Sequence, residues 1–485
     1  MRKNFFYLTV VMLSLVVSVS AQLGTAGSGR SDASSLSIES TVKRKSRPKA
    51  KRTTPKKVVA QKKTAAAYEL EGDKFYEQQD YDSALVAYQN AVKLKPTMLK
   101  SLYRIGWIYN EFQEYDKALL ALNQAARIGP NESAVFLEKG YAHRKLGQTN
   151  EALVAFKRCL ELNSQSVLAH YYLGEMYNDM KMYNEAVASL RQAIYYDPNY
   201  AEAYEELGFA QRRLGRNSEA IASFNKSISL DPENSGAYMG LGDVYFYGTK
   251  EYQNAIDAYL EGLNLDSDNH VACYNVGWSY NELENYEEAL RWLNQATKIK
   301  PDYVNAWSEI GYANYKLNQD TAAINAYRKA LQYKSDYSTA YFGIADVYYE
   351  NLKNYQLAAD NYKTGLSYKP DNATALYRLG FCYNDLGNFQ EAITVLTRAK
   401  SLKPEWAGIH IELGYSYMKS EQYNQAISTL KQAVSINKDS QLAHYYLGLC
   451  YAYSNNKNAA MNEYRELQRL NSKYAADLIK VINNR

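Results

Sequence analysis

The side chains able to do acid–base, nucleophilic or metal chemistry are few and dispersed. Five histidines stand at 143, 170, 270, 410 and 444, and four cysteines at 159, 273, 382 and 450. There is no glycine-rich phosphate loop, no H-E-x-x-H and no G-x-S-x-G, so phosphoryl transfer, zinc hydrolysis and serine acyl transfer lack their usual residues. Adjacent acidic pairs such as Glu205-Glu206 and Glu287-Glu288 point to different sides of a helix and cannot share a proton as a dyad. The expectation is a non-catalytic protein with no metal and no cofactor. What does recur is an aromatic–amide signature: GWIYNEF (106–112), GEMYNDM (174–180), GWSYNEL (277–283) and GFCYNDL (380–386). Rings supply contact area, and an asparagine amide both donates to and accepts from an extended backbone. That is binding chemistry.

These signatures sit in a longer pattern that fixes the elements carrying them. Val271 to Pro301 reads as two short amphipathic helices, with a tight turn at Glu284-Asn285 and a proline stop. The same grammar returns about every 34 residues, with starts at 65, 99, 133, 167, 201, 235, 270, 304, 338, 373, 407 and 441. Counted within each repeat, position 20 is alanine in all twelve, from Ala84 to Ala460, and position 8 is glycine in all but one, where Ala345 stands. Seven of the nine prolines fall at position 32, where the second helix must stop. Positions 4, 11, 17 and 24 accept an aromatic, which accounts for much of the total of 48 tyrosines. In these positions the chain resembles the tetratricopeptide repeat (TPR) family, and the resemblance covers residues 65–474 as twelve repeats.

The resemblance implies an all-α, right-handed superhelical solenoid of helical hairpins, with residues 475–485 in a C-terminal capping helix. It also implies that the first helix of each hairpin (helix A) lines a concave surface, with positions 2, 5, 9, 12 and 13 facing a ligand. Carried over position by position, the candidate partner-binding residues are Tyr103, Trp107, Asn110, Tyr171, Asn178, Asp243, Tyr274, Trp278, Asn281, Tyr312, Asp346, Tyr377, Phe381 and Asn384. The clustered Lys/Arg that family members use to clamp a terminal carboxylate is missing. Three histidines (170, 410 and 444) take position 4, a packed site, and read as satisfied interior residues; a repeat step of ~10 Å is too wide for two of them to share one zinc. No two cysteines lie in adjacent repeats, so they read as small core residues rather than disulfide partners. Repeats 6 and 9 each hold one extra residue, expected in the turns 247–250 and 350–353. The echoes GDVYF (242–246) and ADVYY (345–349) point to duplication of a three-repeat cassette.

The leader differs in kind. Arg2-Lys3, the apolar run Phe5–Val19 and the small residues Ser18–Ala21 read as a signal peptide over 1–21. Residues 22–64, with KRKSRPKAKR (43–52) and KKVVAQKK (56–63), carry too much like charge and too little apolar surface to fold alone, and read as a disordered basic linker. The formal charge of +4 therefore hides a basic leader on an acidic body. An acidic body argues against nucleic acid as a partner. The expectation is an exported protein, periplasmic or secreted in a bacterium, whose linker makes weak contact with an anionic envelope surface. Its function is expected to be a scaffold or adaptor that binds protein or peptide segments, in cell-envelope assembly or secretion. The alternative is a peptidoglycan- or polysaccharide-associated envelope protein, with the aromatic stripe stacking on sugar rings.

Overall fold

The computed structural model describes residues 63–484. The signal-peptide expectation, and the basic-linker expectation up to residue 62, lie outside them. Lys63 pairs with Glu71 at 2.7 Å, and the Thr64 side chain caps the first helix by accepting from the Ala67 N–H. The described residues are all-α: twenty-five α-helices, two π-helical turns and no strand. Helix A begins at Ala65, Leu99, Ser133, Val167, Ala201, Ser235, His270, Val304, Ser338, Ala373, Ala407 and Gln441, and each is followed by an antiparallel helix B. Packing groups them into two compact units, residues 63–272 and residues 273–484, with the boundary inside the first turn of the helix that opens repeat 7.

Within a hairpin, small residues set the spacing. The position-20 alanine is fully buried in every repeat, because helix A lies directly against it. The position-8 glycine faces the large position-24 side chain of helix B. A methyl group on Gly277 would come within 2.6 Å of Leu293, and one on Gly311 within 2.7 Å of Tyr327. That leaves position 24 filled by Tyr88, Leu122, Phe156, Leu190, Phe224 and Tyr259 in the first unit, all with essentially no exposure. Each such side chain stabilises its hairpin by ~1.5–3 kcal/mol of apolar burial.

The turn between helices is equally uniform. One residue in each hairpin adopts left-handed φ, between 51° and 79°. Only Gly147, Gly215 and Gly387 are glycine there; Gln113, Lys181 and Glu284 take the same conformation at a cost of roughly 1 kcal/mol each. The conformation is held because the next residue's N–H returns to the end of helix A, as Glu114 does to Tyr109 at 2.9 Å.

This rigid turn decides where the extra residues of repeats 6 and 9 go. They were expected in the turn. Instead helix A ends in a π-helical turn, Val244–Thr249 and Val347–Asn351, and the left-handed residue is kept at Lys250 and Lys353. Widening one helical turn costs less than opening a turn whose hydrogen bonds fix both helices. The last helix, Tyr474–Asn483, covers the final hairpin: Leu478 and Ile482 are buried, Leu478 lies over Gly448, and Tyr474 stacks on Tyr445 at 4.9 Å.

Candidate interaction surface

Helix A carries all fourteen candidate residues, and the structure sorts them into two groups. Asn110, Tyr171, Asn178, Asn281 and Asn384 are buried. Tyr103, Trp107, Asp243, Tyr274, Trp278, Tyr312, Asp346, Tyr377 and Phe381 are half-buried, with a ring or carboxylate edge in reach of solvent.

The four asparagines, expected to meet a ligand backbone, instead bridge to the next hairpin. Asn110 donates its amide to the Glu138 carbonyl at 3.1 Å and to the Glu138 carboxylate at 2.8 Å. Asn178 does the same to Glu206 (3.1 and 2.7 Å), Asn281 to Glu309 (3.3 and 3.0 Å) and Asn384 to Glu412 (3.1 and 2.9 Å), each 28 residues on. Both amide hydrogens are thereby used, which corrects the expectation that they are free for an extended chain. The glutamates were not expected as bridge partners (Glu206 stood out only as half of an acidic pair), although the sequence holds their signal. Position 6 is glutamate in repeats 3, 5, 8 and 11 alone, each directly after a Tyr-Asn repeat.

The other half of these amides is unevenly satisfied. Asn110, Asn178 and Asn281 have a buried Oδ1 with no hydrogen-bond partner. Asn384 Oδ1 lies 2.6 Å from Ser416 Oγ, whose single hydrogen it shares with the Glu412 carbonyl at 2.8 Å. Ser416 is position 10 of its repeat, and the residues at the equivalent position beside the other three are Ala142, Ala210 and Ala313. One methyl-for-hydroxyl difference accounts for the contrast.

The aromatic candidates form ring-to-ring steps. At position 9, Trp107 packs on Tyr76 and Tyr81 (5.0 and 5.4 Å between centroids), Tyr312 on Tyr286 (6.3 Å) and Phe381 on Tyr349 and Tyr355 (5.4 and 5.6 Å). At position 5, Tyr171 meets Tyr200, Tyr274 meets Tyr303 and Tyr377 meets Trp406, at 4.7–5.2 Å. Tyr103 lies in the cluster around Leu102 and Leu122, with the Arg104 guanidinium 5.7 Å from its ring. Edge-to-face and tilted contacts hold the paired rings in one orientation.

Charged candidates are paired. Asp243 accepts from the Tyr259 hydroxyl at 2.7 Å and pairs with Arg212 at 3.4 Å. Asp346 accepts from Tyr362 and pairs with Arg378, which also holds Glu350 at 2.6 Å. Arg144 pairs with Glu175. In repeats 4 and 5 carboxyls crowd together, and burial is the main force on them. It pushes the Glu206 carboxyl up to about 8 and Glu205 to about 7, with the nearby carboxylates adding to the rise.

Histidines and cysteines behave as packed residues. At position 4, His170, His410 and His444 direct Nε2 to the carbonyls of Ser164, Pro404 and Lys438 (2.7–3.0 Å), closing the turn from the preceding repeat. His444 also meets Glu463 through Nδ1 at 2.6 Å, and this bond raises its pKa. All four cysteines are buried and unpaired with one another, and burial pushes the Cys382 and Cys450 thiols up to about 12. Among the described residues no group of His, Cys, Asp or Glu is arranged to hold a metal, and no helix is long and apolar enough to cross a membrane.

Models described as TPR repeat or tetratricopeptide repeat match residues 70–133, 174–215, 210–247, 235–269, 277–318, 315–351, 352–410 and 414–455. A model of anaphase-promoting complex, cyclosome, subunit 3 matches 113–193. The chain is 30% identical over 101 residues to a heat shock protein sti1 homolog of Schizosaccharomyces pombe, covering 21% of this chain and 17% of that protein. It is 23% identical over 140 residues to the human protein O-mannosyl-transferase TMTC3, covering 26% of this chain and 15% of that protein. Its match thus spans under a fifth of either relative. Among solved structures, YrrB, described as a TPR protein with an unusual peptide-binding site, aligns at 22% identity and TM-score 0.35, over 38% of this chain and 95% of that one.

Two predictions follow from the amide bridges and the buried carboxyls. Ala313→Ser gives Asn281 Oδ1 its missing donor and raises stability by about 1 kcal/mol, whereas Ser416→Ala lowers it by ~1–2 kcal/mol, read from denaturant melts; equal effects of like sign contradict the assignment. A carboxyl whose folded pKa lies above its ordinary 4.5 contributes stability that is full below 4.5 and is lost as pH rises through about 7–8. Glu206→Gln keeps an acceptor for Asn178 and removes the charge. Its thermal midpoint is expected to fall less than the parent's between acid and alkaline pH, and parallel pH profiles contradict this.

Proposed function

The chain belongs to the tetratricopeptide repeat family, and on that premise we propose that it is an exported, non-catalytic scaffold that binds protein or peptide segments along helix A, in cell-envelope assembly or secretion. The observation that carries this reading is the set of half-buried position-9 rings braced by an aromatic of the preceding hairpin: Trp107 by Tyr76 and Tyr81, Tyr312 by Tyr286, and Phe381 by Tyr349 and Tyr355. A ring already fixed before binding loses little conformational entropy on contact, and aromatic anchors dominate interface energetics. Amide and charged neighbours on the same helices are engaged with one another, and the half-buried rings keep an edge in reach of solvent. Export rests on the residue pattern of 1–21 and the envelope setting on the basic run that follows it.

Peptides selected by display on the full chain test the reading. Trp107→Ala and Phe381→Ala are each expected to weaken the selected peptides about tenfold, or ~1.4 kcal/mol, with unchanged helicity. Folded variants that bind every selected peptide like the parent contradict it. Salt-resistant binding of both parent and variants to purified glycan, without peptide binding, would favour the polysaccharide alternative.

A further inference from the structure

We propose that a cleft beside Asn314, in repeat 8, is a receptor for the phenol ring of a tyrosine presented by a partner polypeptide. The cleft has a volume of about 440 Å³ and is walled by Leu290, Trp307, Ile310 and Ala326, with Asn294 and Lys329 among its polar lining. It lies on the side of helix A that carries positions 4, 7 and 11, not on the row of position-9 rings, so it stands or falls separately from the function proposed above.

The occupant is indicated by the chain's own repeats. Position 11 is tyrosine or phenylalanine in nine of the twelve. In repeat 2, Tyr109 reaches across to the preceding hairpin, where its hydroxyl accepts from Gln89 Nε2 at 2.9 Å and the Lys117 ammonium lies 5.6 Å from its ring. Repeats 3 and 5 replace the ring with a polar side chain bound within its own hairpin. His143 bonds to Gln148 at 2.6 Å, and Gln211 accepts from Ser223 at 2.7 Å. Repeat 8 does neither. Asn314 is too short to cross, and its amide folds back on the Ile310 carbonyl at 2.8 Å. Asn294 holds the repeat position of Gln89, so the amide that would meet a phenol hydroxyl is still present. Trp307 has its indole N–H committed to the Pro301 carbonyl at 2.8 Å, which fixes its ring as a wall. The cleft therefore keeps the apolar sides and the polar end of a tyrosine slot and lacks the tyrosine. Asn294 is exposed and its amide stays solvated beside an aliphatic side chain, so the preference for tyrosine comes from the flat ring meeting the fixed Trp307 ring.

Methyl NMR of the full chain, titrated with N-acetyl-tyrosinamide and N-acetyl-leucinamide, tests the proposal. The tyrosine probe is expected to shift the Ile310 and Ala326 methyls in a saturable way, with the leucine probe about threefold or more weaker. Asn314→Tyr supplies the ring from within the chain and is expected to abolish the shifts. Ala326→Met, which raises the floor of the cleft, is expected to do the same and serves if the first variant does not fold. Absence of saturable shifts, equal binding of the two probes, or undiminished binding by a folded variant overturns it.

Discussion

The amide of a position-12 asparagine meets two acceptors on the next hairpin, and much of the surface on helix A depends on that crossing. An asparagine has two amide hydrogens, and a glutamate at position 6 of the next helix A presents both its backbone carbonyl and its carboxylate. A two-point bond between two helices restrains rotation as well as distance. Once helix A is set in this way, position 9 faces the aromatic start of the preceding helix B, and position 5 faces the residue that precedes the next repeat. The ring steps at Tyr274 and Tyr377 lie at bridged junctions; those at Trp107 and Phe381 lie at junctions where Tyr76 and Tyr349 take position 12 and meet Arg104 and Arg378 at 3.9 and 5.6 Å instead. The helix–helix approach beneath it is permitted by fully buried alanines and by glycines that admit a large position-24 side chain.

Charge takes the same route where asparagine is absent. Arg144 and Arg212 occupy position 12 and reach the acidic position 9 of the following repeat, Glu175 and Asp243. In repeat 9 the corresponding Asp346 has a tyrosine at position 12 before it and takes Arg378 from the repeat after it. The duplicated cassette thus keeps its carboxylate and changes the direction from which the cation arrives. Removing one partner of such a half-buried pair leaves the other charge poorly solvated, which explains why these residues pair so consistently.

The fold was legible because its determinants are local and periodic. Glycine at position 8, alanine at 20 and proline at 32 each report a steric fact that holds within one hairpin, and the twelve helix A starts coincide with the sequence period. The candidate site was legible only as a set of positions. Asn110, Asn178, Asn281 and Asn384 stood out as polar residues on a ligand-facing row, yet their partners lie 28 residues on, beyond the reach of any single-repeat comparison. Reading position 12 against position 6 of the next repeat would have found them. The extra residues of repeats 6 and 9 were misplaced for a related reason: the turn is held by hydrogen bonds that have no side-chain signature, so the insertion moves into the helix.

The most direct test of inter-repeat bridging is a double-mutant cycle on Asn384 and Glu412, measured by denaturant unfolding of the parent, Asn384→Ala, Glu412→Ala and the double variant. A coupling energy of about 1–3 kcal/mol is predicted for the amide–carboxylate bond, the one Glu412→Ala removes; the bond to the Glu412 backbone carbonyl is kept in that variant. Additive effects, with coupling near zero, would contradict the account, because the carboxylate that sets position 6 apart in these repeats would then contribute nothing to the crossing.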